Sequence, residues 1–421
     1  MRVLVIGSGG REHAIIKALS RDKRIDKLFA LPGNDGMTEA VCLFGNSMDN
    51  AAVLTIARQH QINFCVVTPD DPLANGLVDA LEAGGIACFG PNKAAARIES
   101  SKVFAKELMR KYHISTAAWQ VAEDLESGLQ YTRVQRYPLV IKADGLAKGK
   151  GVFIVEDQAQ AEAALQSIFT DHLFGQAGSR AVIEEYLQGP EISVLALTDG
   201  ENLVELPSAM DHKRALDGDR GPNTGGMGAI TPNPFYTQQV ARRCHEEIYL
   251  PTLRAMAQED CPFRGCLYFG LMLTQDGPKV LEYNARFGDP ETQAILMLLE
   301  NSPLDAFLHT RNGELSEKDL RFSPGSACCV VLTSAGYPGH FETGFSIQVE
   351  AREGSICYAG VKRLAGQLVT AGGRVAAACA KADTLREAIA VAYRAAEGLQ
   401  FKGRLMRRDI GQRALNQEEA E

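Results

Sequence analysis

The stretch Val280-Leu-Glu-Tyr-Asn-Ala-Arg-Phe-Gly-Asp-Pro-Glu-Thr-Gln293 decides how this chain is read. Val280 to Asn284 alternates apolar and polar residues as a half-buried strand does, which sends Glu282 and Asn284 out from the same face. A carboxylate beside an amide oxygen is a pair of hard ligands. Such a pair suits a Mg²⁺ ion that completes its octahedron with phosphate oxygens and water. Two residues on, Arg286 offers a planar fork to a carboxylate or phosphate. An ordinary surface strand carries such residues too, so the reading depends on what else the chain holds.

Working outward, the strand Gly265 to Leu273 precedes this stretch, and Asp276-Gly277 is the turn that folds the two into a hairpin. Pro138-Leu-Val-Ile-Lys142 reads as a strand and runs straight into Ala143-Asp-Gly-Leu-Ala-Lys148-Gly-Lys150-Gly151. Glycines alternating with lysines between two strands predict a flexible basic flap able to close over phosphates. Its spacing is not that of the common P-loop, and a strand follows where a P-loop has a helix. A solvated lysine turn is the bland alternative. Val182 to Tyr186 forms another strand, whose end carries Glu184, Glu185 and Leu187 and leads to Glu191. Carboxylates and open backbone there can take a ribose hydroxyl pair and an adenine edge. Asp211-His-Lys-Arg214 leads into Gly221-Pro-Asn-Thr-Gly-Gly-Met-Gly228, whose glycines let the backbone approach a ligand closely or move as a lid.

Before the flap, β-rich runs alternate with helical patterns such as Glu12 to Ser20 and Leu73 to Ala83. That alternation predicts a doubly wound parallel sheet binding ligands at the carboxyl ends of its strands. The first such end is Gly7-Ser-Gly9-Gly10-Arg11-Glu12-His13, where a helix N-terminus can receive a phosphate. A dinucleotide fingerprint needs a third glycine where Glu12 stands, and an acidic residue where the chain reads Pro32-Gly33-Asn34. An NAD-dependent oxidoreductase is therefore disfavoured. Asn92 to His113 reads as a linking helix that contains Lys102; Gln238 to Met256 reads as a helix, and Gly313 to Asp319 as a boundary. A buried strand at Ala327 to Leu332 and a helix at Leu385 to Glu397 mark a last α+β unit, and Gln417 to Glu421 a frayed acidic tail. The expected division is residues 1–105 as the Rossmann-like sheet, 106–315 as a central domain with a flap subdomain at about 118–190, and 316–421.

With 421 residues, 45% hydrophobic content and 23% charge, the composition is that of a globular protein large enough for about three domains. A net charge of −8 gives no general attraction to nucleic acid or anionic membranes, so an anion needs a local pocket. The start reads as a strand and not as a signal peptide, and no apolar run reaches the ~20 residues of a membrane span. Ten scattered cysteines without Cys-x-x-Cys spacing read as reduced core thiols of a cytoplasmic protein.

Together these pieces resemble the glycinamide ribonucleotide synthetase (phosphoribosylamine–glycine ligase) family of ATP-grasp enzymes in purine biosynthesis. The motifs that carry the resemblance run in family order. They are Gly7 to Ala14, Pro32 to Asn34, Lys142 to Gly151, Asp211 to Arg214, Gly221 to Gly228, Asn284 to Gln293 and Arg408 to Gly411. The resemblance implies a central ATP-grasp fold and ATP-dependent joining of glycine to 5-phosphoribosylamine through glycyl phosphate. It implies ATP beside Lys102, Lys142, Lys150, Glu184, Glu185, Leu187 and Glu191, and Mg²⁺ or Mn²⁺ on Glu282 and Asn284. Asp211 and Arg286 would hold glycine by its ammonium and carboxylate, and with Lys142 they are the expected catalytic residues. Phosphoribosylamine would meet Gly9, Gly10, Arg11, Glu12, Pro32, Gly33 and Asn34. The expected partners are these small molecules alone, and the expected state is a monomer. Two departures stand out: Asp70 where the family often has glutamate, and Lys148 where it commonly has alanine. Another ATP-grasp ligase, such as a biotin carboxylase-like enzyme, would share the metal pair and flap but lack Gly-Gly-Arg-Glu-His and Asp-His-Lys-Arg. A catalytically silent nucleotide-binding module would be expected to have lost some of Lys142, Glu282, Asn284 or Arg286.

Overall fold

The computed structural model describes residues 1–147, 150–350 and 353–418, so Lys148 and the end of the acidic tail lie outside the described residues. The first strand, Arg2–Gly7, is buried along nearly its whole length because it lies mid-sheet, covered on both faces. The sheet runs Val41–Cys42, Lys27–Pro32, Arg2–Gly7, Phe64–Val67, Ala87–Phe89, all parallel, as the βα alternation requires. The helix expected over Leu73 to Ala83 is two helices, Asp70–Ala74 and Leu77–Ala83. They are parted at Gly76, which has φ +81°.

The linking helix also differs from its sequence reading. It is broken into Lys93–Ser100 and Lys102–Lys111, and Ser101 both ends the first and caps the second. The break has a tertiary cause. Asp144, at the root of the flap, accepts hydrogen bonds from Ser101 Oγ (3.0 Å) and Val103 N (2.9 Å), so it helps cap the second helix from outside. No local periodicity reports that partner.

The flap strands Leu139–Ala143 and Val152–Val155 pair antiparallel in a four-stranded sheet with Ala181–Glu185 and Trp119–Ala122. Helices Leu125–Thr132 and Gln158–Phe169 close over it around a separate core that includes Ile141, Leu165 and Ile183. A second antiparallel sheet runs Leu203–Glu205, Glu191–Thr198, Gly265–Thr274, Gly277–Asn284. Its last two strands form the expected hairpin. This central sheet shares one hydrophobic core with the N-terminal sheet, through residues such as Leu4, Ile98, Phe269 and Tyr283. The C-terminal sheet takes strands from two parts of the chain: Met210–Asp211, Gly228–Thr231, Ser326–Ser334, Arg374–Ala382, Ser355–Tyr358. Helix Leu385–Glu397 packs on it. The signatures Asp211 to Arg214 and Gly221 to Gly228 are thereby both anchored at one edge of the C-terminal sheet.

Candidate active site

The hairpin Gly265–Thr274/Gly277–Asn284 contains a bulge: Gly270 pairs with Glu282 and Leu271 with Val280, leaving Leu281 as the extra residue. Beyond the bulge, Tyr283 is buried while Glu282 and Asn284 are only partly covered, so these two side chains share a face. The Leu281 carbonyl accepts from Lys142 Nζ at 3.0 Å, joining the flap sheet to the central sheet. Lys102 Nζ donates to the Gly145 carbonyl (2.9 Å) on the flap loop. Lys150 is exposed farther along it.

Lys213, which the sequence reading left without a role, lies 3.4 Å from both Glu282 and Glu191. Its only sequence signal is its place inside Asp211-His-Lys-Arg214. Three lysines therefore surround Glu282. Lys213 is the largest influence holding its carboxyl down to about 2, against the cost of burial, with Lys142 and Lys102 adding to it. Burial opposes the charge of Lys213 itself, but Glu191 and Glu282 outweigh that and raise its pKa. Glu282, Lys213 and Glu191 keep 37%, 30% and 45% of their side chains accessible, so this seam is open to solvent.

Glu184 is placed otherwise. Its carboxylate is buried, 3.0 Å from Lys142 and 3.1 Å from Lys106, whose ammonium also donates to Thr116 Oγ1 at 2.7 Å. Burial lowers the Lys106 pKa to about 8 despite Glu184. Glu184 thus fixes the Lys142 head from within the core, while its Oε1 accepts no hydrogen bond from the described residues. Glu185 is exposed at the strand end, with its backbone N–H on the Ala118 carbonyl. Leu187 forms a small apolar patch with Ala117, Met272 and Leu281.

Beside Lys213, Asp211 Oδ1 is buried with no hydrogen-bond partner among the described residues. Burial, reinforced by the nearby Glu291 carboxylate, raises the Asp211 pKa well above the ordinary value. The loop over it is fixed tightly. Gly226 has φ +103°, and a Cβ there would lie 2.3 Å from Pro290 and 2.9 Å from Asp211 Oδ1. Arg374, from the C-terminal sheet, donates to the Gly225 carbonyl, to the Asp289 carbonyl (2.9 Å) and to Asp289 Oδ2 (2.9 Å). Arg286 lies 3.0 Å from Glu99 and 3.4 Å from Asn284 Oδ1.

The loops of the N-terminal sheet meet as expected: Gly33 N donates to the Gly7 carbonyl and Asn34 Nδ2 to the Ser8 carbonyl (2.8 Å). Two of their side chains are internally engaged. Glu12 accepts from Gly9 N (2.7 Å), Thr68 Oγ1 (2.7 Å) and Arg11 Nε (2.6 Å). Arg11 also donates to the Phe287 carbonyl (2.8 Å). Glu12 therefore shapes the loop, and two donors of the Arg11 guanidinium are held by protein. Gly9, Gly10 and Pro32 remain backbone walls of this corner.

A parallel N-terminal sheet, an antiparallel central sheet and a small separate sheet whose Lys142 reaches it define the ATP-grasp class. Solved biotin carboxylases have this fold: that of Campylobacter jejuni superimposes with a TM-score of 0.74 over 96% of this chain and 92% of its own, at 15% identity. Models of phosphoribosylglycinamide synthetase match residues 1–99 (N domain), 100–292 (ATP-grasp domain) and 327–413 (C domain). The phosphoribosylamine–glycine ligase of Caldanaerobacter subterraneus is 43% identical, covering 97% of this chain and 99% of that one. That of Agrobacterium fabrum is 43% identical over the full length of both. The crystal structure of the Thermotoga maritima enzyme superimposes with a TM-score of 0.86 at 37% identity, covering 97% of this chain and all of the other. The chain belongs to the phosphoribosylglycinamide synthetase family.

Proposed function

We propose that this chain joins glycine to 5-phosphoribosylamine with ATP, as a cytoplasmic monomer, releasing glycinamide ribonucleotide, ADP and phosphate. The observation that carries the reading is the gathering of Glu282, Lys102, Lys142 and Lys213 at one open seam, with the unpartnered Asp211 oxygen beside it.

The metal pair passes a test of fit. Among the described residues, the cation nearest the Glu282 carboxylate stands at 3.4 Å, a loose contact, and Asn284 Oδ1 has a 3.4 Å contact with Arg286. Among the described residues no three His, Cys, Asp or Glu side chains are grouped to hold an ion unaided. Two hard oxygens of this kind suit Mg²⁺ or Mn²⁺ arriving with a triphosphate. When bound, the ion would supply charge neutralisation at the transferring phosphoryl.

The chain's own residues do the rest. Leu187 and its apolar neighbours receive the adenine face, the Glu185 strand end its polar edge, and Glu191 the ribose hydroxyls. Lys142, held from behind by Glu184, and Lys102, held at the flap root, point cationic heads at the phosphates. Asp211 accepts the glycine ammonium, which supplies the hydrogen bonds that Oδ1 lacks, and Arg286 takes the carboxylate. A carboxylate is a poor acyl donor because oxide is a poor leaving group. Phosphorylation by ATP gives glycyl phosphate, and the phosphoribosylamine nitrogen then displaces phosphate. The flap and the Gly221 to Gly228 loop keep water from the acyl phosphate. The test is phosphate release from ATP with glycine and freshly generated phosphoribosylamine, omitting each in turn. Release is expected only with both, and oxygen-18 from the glycine carboxyl should appear in the phosphate. Its absence there would remove the acyl-phosphate route.

A further inference from the structure

Arg286 and Asn284 sit at the end of a strand, where the hydrogen-bond ladder stops and the backbone is no longer held by a neighbour. Tyr268–Asn284 is the last pair, so the next amide, Ala285 N–H, has no strand partner. It donates instead to Glu99 Oε2 at 2.8 Å. The other oxygen of the same carboxylate, Oε1, lies 3.0 Å from Arg286 Nη2. One side chain thus grips the segment at two points: the peptide between the two functional residues, and the guanidinium of one of them. Arg286 Nη2 in turn lies 3.4 Å from Asn284 Oδ1, and Nη1 donates to the Phe287 carbonyl at 3.2 Å.

Glu99 comes from another part of the molecule. It is buried in helix Lys93–Ser100, which ends immediately before the capping Ser101 and Lys102. A single helix end therefore sets the strand terminus through Glu99 and the flap root through Ser101 and Lys102, whose ammonium reaches the Gly145 carbonyl.

We propose that Glu99 is a positioning residue for the ligation: its two oxygens fix the orientation of Arg286 and the Asn284–Ala285 peptide, and so the geometry in which the amino-acid carboxylate is presented to the phosphoryl donor. The inference rests on the placement of Arg286 and Asn284 given above. A buried ion pair that only stabilised the fold would be indifferent to which substrate is bound. A positioning carboxylate acts selectively, on the substrate Arg286 holds, and misplacement of about 1 Å there costs on the order of 10²-fold in rate.

Glu99→Gln keeps the shape, but its single acceptor oxygen serves only one of the two donors. Its amide nitrogen then opposes the other donor. The expected result is a kcat/KM for glycine lower by about 10²-fold, with affinity for ATP and the far-UV circular dichroism unchanged. Glu99→Asp restores charge on a shorter arm and should recover part of the loss; it also decides the matter should the glutamine variant not fold. The proposal is overturned if the folded variants use glycine as well as the wild type, or if ATP affinity and glycine kcat/KM fall together in step with melting temperature. Wild-type enzyme that releases no phosphate with both substrates would instead remove the reading of the reaction itself.

Discussion

Glu282 is the residue on which the charge arrangement turns. Its carboxyl is held near 2 first by Lys213, so it remains an anion throughout the physiological range. Glu282→Gln removes the charge and leaves a side chain of the same shape at a site that is open to water. We expect a fall in turnover of at least about 10²-fold, the scale of losing one preorganised electrostatic contact, with the fold intact. Wild-type phosphate release in that variant would remove the metal assignment. Glu99 gives the opposite shift. Burial outweighs Arg286 and lifts its carboxyl to about 7, with Asp70 pushing the same way and Arg11 against it. The sign follows from proton uptake. Between its ordinary 4.5 and about 7 the folded protein holds a proton that the unfolded chain does not, so this contribution to stability falls as pH rises through that window. The Glu99–Arg286 ion pair forms above it. Glycine kcat/KM should therefore rise through about pH 7 in the wild type, and Glu99→Gln should lack that inflection. An identical profile in both would contradict the shift.

Among the elements, the flap root shows what a sequence pattern reports and what it leaves silent. The strands on either side of the glycines and lysines were legible because Leu139 to Ile141 and Val152 to Val155 are apolar runs bounded by breakers. The hairpin at Asp276-Gly277 and the shared face of Glu282 and Asn284 were legible for the same reason. The break at Ser101 was not, since Lys93 to Lys111 keeps helical spacing and the interruption comes from Asp144, more than forty residues away. Lys213, Glu99 and Lys106 were missed on similar grounds: each matters through a partner distant in sequence. Asp144 also binds Arg180 at 2.8 Å, so it ties the flap sheet, its loop and the second linking helix together. Asp144→Ala removes an external cap, at a cost of about 0.5–2 kcal/mol in denaturant melts. It frees the loop whose Gly145 carbonyl holds Lys102. The KM for ATP should rise while that for phosphoribosylamine does not; equal changes in both would mean that the root does not set the flap.

Across the whole molecule, the N-terminal loops and the C-terminal sheet meet at one backbone position. Tyr358 N donates to His13 Nδ1 at 2.8 Å, and the Tyr358 carbonyl accepts from Asn34 Nδ2 at 3.0 Å. Because His13 Nδ1 accepts, its proton sits on Nε2 and faces Glu39 at 3.1 Å. The Tyr358 ring leaves no space for a side chain at residue 36, where a Cβ on Gly36 would lie 2.4 Å from it. Two motifs expected to wall the phosphoribosylamine corner thus also clasp a strand more than 300 residues away. A loop contributes to binding only as well as its position is held, so this clasp couples the last sheet to that corner. Asn34→Ala leaves the Ser8 and Tyr358 carbonyls without this donor, a loss of about 1–3 kcal/mol if no water replaces it. His13→Ala strands the Tyr358 amide at similar cost. His13 is the cleaner probe, since its ring lies buried behind the loop while Asn34 lies in the corner itself. His13→Ala should raise the KM for phosphoribosylamine and leave that for ATP unchanged, because the seam with Lys142 and Glu282 is built without the clasp. If instead ATP affinity fell and phosphoribosylamine use did not, the C-terminal sheet would be acting on the nucleotide through Arg374 and the Gly225–Gly226 loop. The N-terminal corner would then hold its shape unaided.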